Sequence, residues 1–127
     1  MNYKETKKVV LIDLDGVLNE YRGIYDEERI PELKFGAREF LLNLSNKYSV
    51  KLFTTRNRLL TSKWIINNNL DGFIEDVTNI KEPCWLYVDD RCVKFDGDFS
   101  MLQNKIQDRF GIYFKDPETS SGRRFIY

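Results

Sequence analysis

The chain has no histidine in its 127 residues. That single absence removes His-based catalytic triads, imidazole general bases and His metal ligands together, so any chemistry must rest on carboxylates, hydroxyls, lysine or a hard metal ion. Cysteine is nearly absent too. Cys84 and Cys92 are the only two. They lack zinc-type spacing and secretory surroundings, and they read as reduced thiols. No long apolar run exists. Behind the polar start MNYKETKK only the four residues Val9 to Ile12 are apolar in series. That is too short for a signal-peptide core or a membrane span, which makes a cytoplasmic location the expectation. Neither charge sign is in excess: Lys plus Arg and Asp plus Glu both number 20. Composition therefore offers no nucleic-acid footprint and no polybasic membrane anchor.

What is present is the material of one folded domain. Hydrophobic residues make up 42% and aromatics 14%, which argues against disorder. A chain this long hides roughly two-thirds of its unfolded surface on folding. The expectation is a single domain over residues 1–117 with a polar tail, 118–127, whose ETSSGRR stretch carries no apolar pattern. There is no internal repeat. Lys8-VVLID-Leu14 is a continuous apolar run ending in acids, as in a buried parallel strand. Residues 17–35 show no clear period and contain Pro31, so they read as loop with one turn of helix at most. Ala37, Phe40, Leu41, Leu44 and Tyr48 recur at helical spacing after Gly36. Residues 50–53 predict a second strand. Leu60, Trp64 and Ile65 predict a helix closed by Asn67-Asn-Asn69 and Gly72. Residues 73–77 and 84–88 predict a third and a fourth strand, and 93–95 a short fifth. Phe99, Leu102, Ile106 and Phe110 predict a last helix, with 112–114 as a further sheet edge. This alternation is the signature of an α/β fold with a mainly parallel sheet, in which ligands bind outside the carboxyl ends of the strands.

The candidate chemical residues fall at those ends. Asp13 and Asp15, in DLDGVLN, lie two apart at the end of the first strand and so face one side. Two carboxylates that close repel unless a cation or a shared proton offsets them. Gly16 permits a sharp exit from the strand. Taken alone, Asp15-Gly16 reads equally well as a turn. Thr54 and Thr55 follow the second strand in LFTTRN and offer hydroxyls and backbone N–H groups to an anion; alone they are ordinary turn chemistry. Lys81, in NIKEP, is alone a surface lysine. Asp89 and Asp90, in YVDDR, end the fourth strand, where an Asx turn or ion pairs with Arg91 and Lys94 would also account for them. Together the set says more. If the first and fourth strands are neighbours, four carboxylates share one edge with no imidazole or thiol beside them. Such a site calls for a hard divalent cation, and Mg²⁺ suits it best. Lys81 and Thr54 add the positive charge and donors that a phosphoryl group needs.

In that order over residues 9–96, the acid-x-acid-Gly, the Thr, the Lys and the acid pair resemble the four motifs of the haloacid dehalogenase superfamily. The resemblance implies a three-layer α/β/α Rossmann-like fold and a role for each residue. Asp13 would be the nucleophile that becomes aspartyl-phosphate, and Asp15 the general acid and base, with its backbone carbonyl on the metal. Thr54, with Thr55, would bind the phosphoryl oxygens. Lys81 would neutralise the nucleophile and the phosphoryl group. Asp89 would ligate Mg²⁺ directly and Asp90 through water. An Asp at the second acid position is what phosphatase and phosphotransferase members have and dehalogenase members lack. One departure is Glu82, which stands between Lys81 and Pro83 where many members have Pro directly after Lys. Neither of the gaps in which members carry a cap domain is long enough here, so the chain looks capless. An open site suits a large phosphorylated substrate, or closure by a neighbouring subunit.

Other readings compete. A signalling receiver domain uses similar residues, but its Lys comes last, whereas Lys81 precedes the acid pair. A DxD glycosyltransferase is usually far longer and does not need the Thr–Lys–acid-pair series. A polynucleotide-end phosphatase would use Arg123, Arg124, Phe125 and Tyr127 on a single strand, although a short basic tail is more simply solvated. A non-catalytic module on the same fold has no need to keep the whole chemical set. Arg56 and Arg91 flank the expected site, either to select a second anionic group or to pair with nearby acids.

Overall fold

The computed structural model of the chain describes residues 6–111. The elements run β1 (Val9–Asp13), α1 (Ala37–Ser45), β2 (Ser49–Phe53), α2 (Arg58–Asn67), β3 (Asp76–Thr78), β4 (Leu86–Val88) and α3 (Phe99–Phe110). They divide between two compact units, one through Asp90 and one from Arg91. The 112–114 edge and the polar tail of the sequence reading lie outside the described residues.

The first unit holds a four-stranded sheet in the order β3-β2-β1-β4, and every pairing is parallel. Parallel strands need a crossover between them; α1 and α2 supply two. The pleat sends Val10 and Ile12 of β1, Val50 and Leu52 of β2 and Val77 of β3 to one face. There they join Ala37 and Leu41 of α1, Ile65 of α2, and Leu70 in one apolar cluster. Fully burying side chains of this size is worth roughly 1.5–3 kcal/mol each, so this cluster is the main source of the unit's stability. On the other face Leu11 is fully buried, and the Phe53 and Tyr87 rings meet edge to face at 6.0 Å.

Local chemistry sets the helix ends. Gly36, at φ 85°, precedes α1 without a side-chain cap. The Asn57 side chain caps α2 by accepting from the Leu60 N–H at 3.0 Å. In the second unit Asp98 caps α3, accepting from the N–H groups of Ser100 and Met101.

Several boundaries differ from the sequence pattern. Tyr48 leaves α1, because the chain tightens there and both Lys47 and Tyr48 donate to the Leu44 carbonyl; its ring stacks on Trp85 at 5.1 Å. After α2 the left-handed residue is Asn69, at φ 57°, and not Gly72. The third strand begins three residues later than predicted. Phe73 and Ile74 both donate to the Leu70 carbonyl in a turn that closes off α2, and only residues 76–78 reach the ladder. The fourth strand shortens to 86–88 and, among the described residues, stands at the edge of the sheet with Leu86 exposed. Residues 93–95 are not a strand; Phe95 packs instead on Phe99 at the start of α3, ring centroids 5.0 Å apart. No helix among the described residues is long and apolar enough to cross a membrane.

Candidate active site

The sheet order reverses at β1, with β2 on one side and β4 on the other. At such a reversal the following loops diverge and leave a crevice at the carboxyl ends of the strands. Asp13 is the last residue of β1. Ile12 pairs with Val88, so the register carries Asp13 on toward Asp89. Carboxylate oxygens of Asp13, Asp89 and Asp90 lie within 4.8 Å of one another. Asp13 and Asp89 are half-buried and Asp90 is exposed. Burial first, then the charges of Asp89 and Asp90, push the Asp13 carboxyl from its ordinary 3.8 up to about 7, against a lowering hydrogen bond from the Leu14 backbone; Asp15 adds a smaller push. The donor set is all carboxylate, which fits a hard divalent cation and neither a thiolate nor an imidazole metal.

Gly16 is forced by this arrangement. Its φ is +84°, and a Cβ there would collide with the Asp90 carboxylate, so only glycine serves both the turn and the approach of the acid. The turn is held from the far end of the next loop: Lys34 Nζ donates to the Gly16 carbonyl at 2.9 Å. An antiparallel bridge between Asn19 and Leu33 closes that loop at its neck.

Asp15 is near enough to raise Asp13, yet its side chain is engaged elsewhere. Arg56 Nε donates to Oδ1 at 3.1 Å and to Oδ2 at 2.9 Å, and Asn19 Nδ2 donates to Oδ1 at 2.9 Å. Asn19 is fully buried and its own Oδ1 accepts from the backbone N–H groups of Gly16 and Tyr21. It thus braces the turn and the acid together.

Thr54 is buried at the end of β2. Its N–H donates to the Thr78 carbonyl and its Oγ1 accepts from the Arg56 N–H, which leaves its O–H to be donated. Thr55 is exposed. Both threonines line a groove of about 480 Å³ with Asn57, Thr78 and Asn79 at the carboxyl ends of β2 and β3. Lys81 is exposed and rests over the Tyr87 ring, 4.8 Å from its centroid. Tyr87 is two residues before Asp89 in the chain. Glu82, which stands between Lys81 and Pro83, pairs with Lys51 of β2 at 3.0 Å and anchors the lysine loop. Arg56 pairs with an acid, Asp15, while Arg91 opens the second unit.

Comparison with family models, with curated proteins and with solved structures returns no match to this chain. The site is therefore read from its own geometry. Two of its residues were not singled out in the sequence. Asn19 was visible only as the end of DLDGVLN, and a buried amide three residues past a DG turn is a usable signal. Lys34 carried none, because its contact depends on the path of the whole 17–35 loop.

Proposed function

We propose that the chain is a magnesium-dependent phosphatase that hydrolyses phosphate monoesters through an aspartyl-phosphate on Asp13, on a three-layer, Rossmann-like domain without a cap. The observation that carries this reading is the triad of carboxylates at the β1–β4 reversal, within 4.8 Å of one another in a chain without histidine. Anions packed this closely need a cation or protons between them. Asp13 and Asp89 would hold Mg²⁺, with Asp90 acting through water and Asp15 through its carbonyl. Bound there, the ion supplies cancellation of the substrate's negative charge.

The residues then divide the work. An Asp13 carboxylate oxygen bonds to phosphorus as the bond to the ester oxygen breaks, and the Asp15 carboxyl gives that oxygen a proton. Water next attacks the phosphorus of the aspartyl-phosphate, its proton passes to Asp15, and the bond to Asp13 breaks. Inorganic phosphate leaves and both carboxyls return to their starting states. Thr54 and Thr55 donate to the phosphoryl oxygens, and Lys81 swings from Tyr87 to add positive charge. The groove beside Thr54 and Thr55 takes the rest of the substrate, and a site without a cap suits a large one.

The test is a panel of p-nitrophenyl phosphate, sugar phosphates, nucleotides and oligonucleotide 3′-phosphates, assayed with Mg²⁺ and with EDTA beside Asp13→Asn. Mg²⁺-dependent phosphate release by the wild type and none by the variant is expected. Equal rates for the two proteins, or no turnover of any ester, would refute the reading.

A further inference from the structure

We infer that Arg56 is a positioning residue for Asp15, and that it makes Oδ2 the oxygen through which Asp15 passes its proton; the inference rests on the phosphatase reading above. Arg56 follows the end of β2 by three residues in a connecting loop, where an arginine normally reaches into solvent. Here it is 4% exposed. Nε holds both oxygens of Asp15. Nη1 donates to the backbone carbonyls of Asp26 at 2.7 Å and Arg29 at 3.3 Å. The Tyr25 ring covers the guanidinium, 4.5 Å away. Nη2 is buried with no hydrogen-bond partner among the described residues.

As a purely structural device this is a poor one. An ion pair that buries a guanidinium against a partly buried acid adds little net stability, and a buried donor without an acceptor subtracts from it. Costs of this kind concentrate where a side chain must be held for chemistry. What the arrangement does achieve is geometric. A carboxylate offers about four acceptor positions, two on each oxygen. Asn19 and Arg56 together take two on Oδ1, and Arg56 takes one on Oδ2. The remaining position, on Oδ2, is the one that can carry a proton to a leaving oxygen and later take one from water. Lysine cannot stand in for Arg56, because a point charge lacks the planar fork that spans carboxylate and carbonyls at once. The same fork links the acid to the 25–29 segment of the loop, so the placement of Asp15 depends on that segment.

Stopped-flow and steady-state kinetics of Arg56→Lys and Arg56→Gln test this with two Mg²⁺-supported substrates. p-Nitrophenyl phosphate has a leaving group that departs without a proton; glycerol phosphate has one that needs it. With glycerol phosphate, kcat is expected to fall about 100-fold, the usual scale of a positioned acid, with KM little changed. With p-nitrophenyl phosphate the first step survives and attack by water slows, so the nitrophenolate burst grows relative to the steady rate. A merely structural role would lower both substrates in proportion, without a larger burst, and that result overturns the inference; so does unchanged activity. Tyr25→Leu, at a half-exposed ring, gives the answer if the Arg56 variants fail to fold: the same pattern at smaller amplitude supports the inference, and wild-type kinetics overturn it. A wild type that turns over no ester removes the phosphatase reading and this inference with it. An active, Mg²⁺-dependent wild type whose variants miss the pattern removes this inference alone.

Discussion

Asp13 shows how a single carboxyl links the fold to its chemistry. In the folded protein it titrates at about 7 against an ordinary 3.8. Below 3.8 both the folded and the unfolded chain hold the proton and nothing is lost. As pH rises from there to about 7 the unfolded chain sheds its proton first, so folding loses stability, and above 7 the loss is complete. In EDTA, therefore, the melting temperature of the wild type should fall from pH 4 to pH 7 more steeply than that of Asp13→Asn, and the variant should be the more stable protein at pH 8. Parallel melting curves across that range would show that the acids do not strain one another. Gly16→Ala combines a positive φ with a collision against Asp90. A strained backbone position of this kind costs about 1–3 kcal/mol, so the urea midpoint should drop, and the proposed phosphatase activity should go with it. Residues at this scale were legible where a short motif carried them: Asp13, Asp15, Asp89 and Asp90 all stood out as acids ending apolar runs. The partner of Asp15 was not legible. Arg56 lies 41 positions away, and its choice of that acid over solvent is made by a loop path that no local pattern encodes.

The elements follow from hydrophobic period where burial is one-sided, and escape it elsewhere. The β1 run and the alternation in β2 were readable because both strands are central and pack on the same apolar cluster. Residues 73–77 misled because Phe73 and Ile74 are apolar for a different reason: their turn tucks back toward the end of α2. Residues 84–88 looked like a buried strand, yet among the described residues β4 pairs on one side only, and its three residues suffice to reach Asp89. Asn57 is the side-chain cap of α2, and losing such a cap typically costs about 1 kcal/mol. Asn57→Ala should lower urea stability by that amount while leaving the proposed Mg²⁺-dependent turnover intact. A midpoint equal to the wild type's would mean that the cap contributes nothing to α2.

At the scale of the whole molecule, the site exists because parallel connections bring residues far apart in sequence to one crevice. Asp13 ends a central strand that is paired on both sides, whereas Asp89 follows a three-residue strand that, among the described residues, is paired on one. A cation shared by the two acids would tie this short strand to the central one. Binding to the native state alone stabilises it by about 2.7 kcal/mol at a hundredfold excess over Kd, and that gain should be concentrated where the ion acts. Hydrogen exchange with and without Mg²⁺ should thus show added protection in residues 86–88 and at the end of β1, and little in α1. Asp89→Asn should remove both the local protection and the Mg²⁺-dependent rise in melting temperature. If Mg²⁺ protected every element equally, or left β4 unchanged while still supporting turnover, the ion would have to act elsewhere than between β1 and β4.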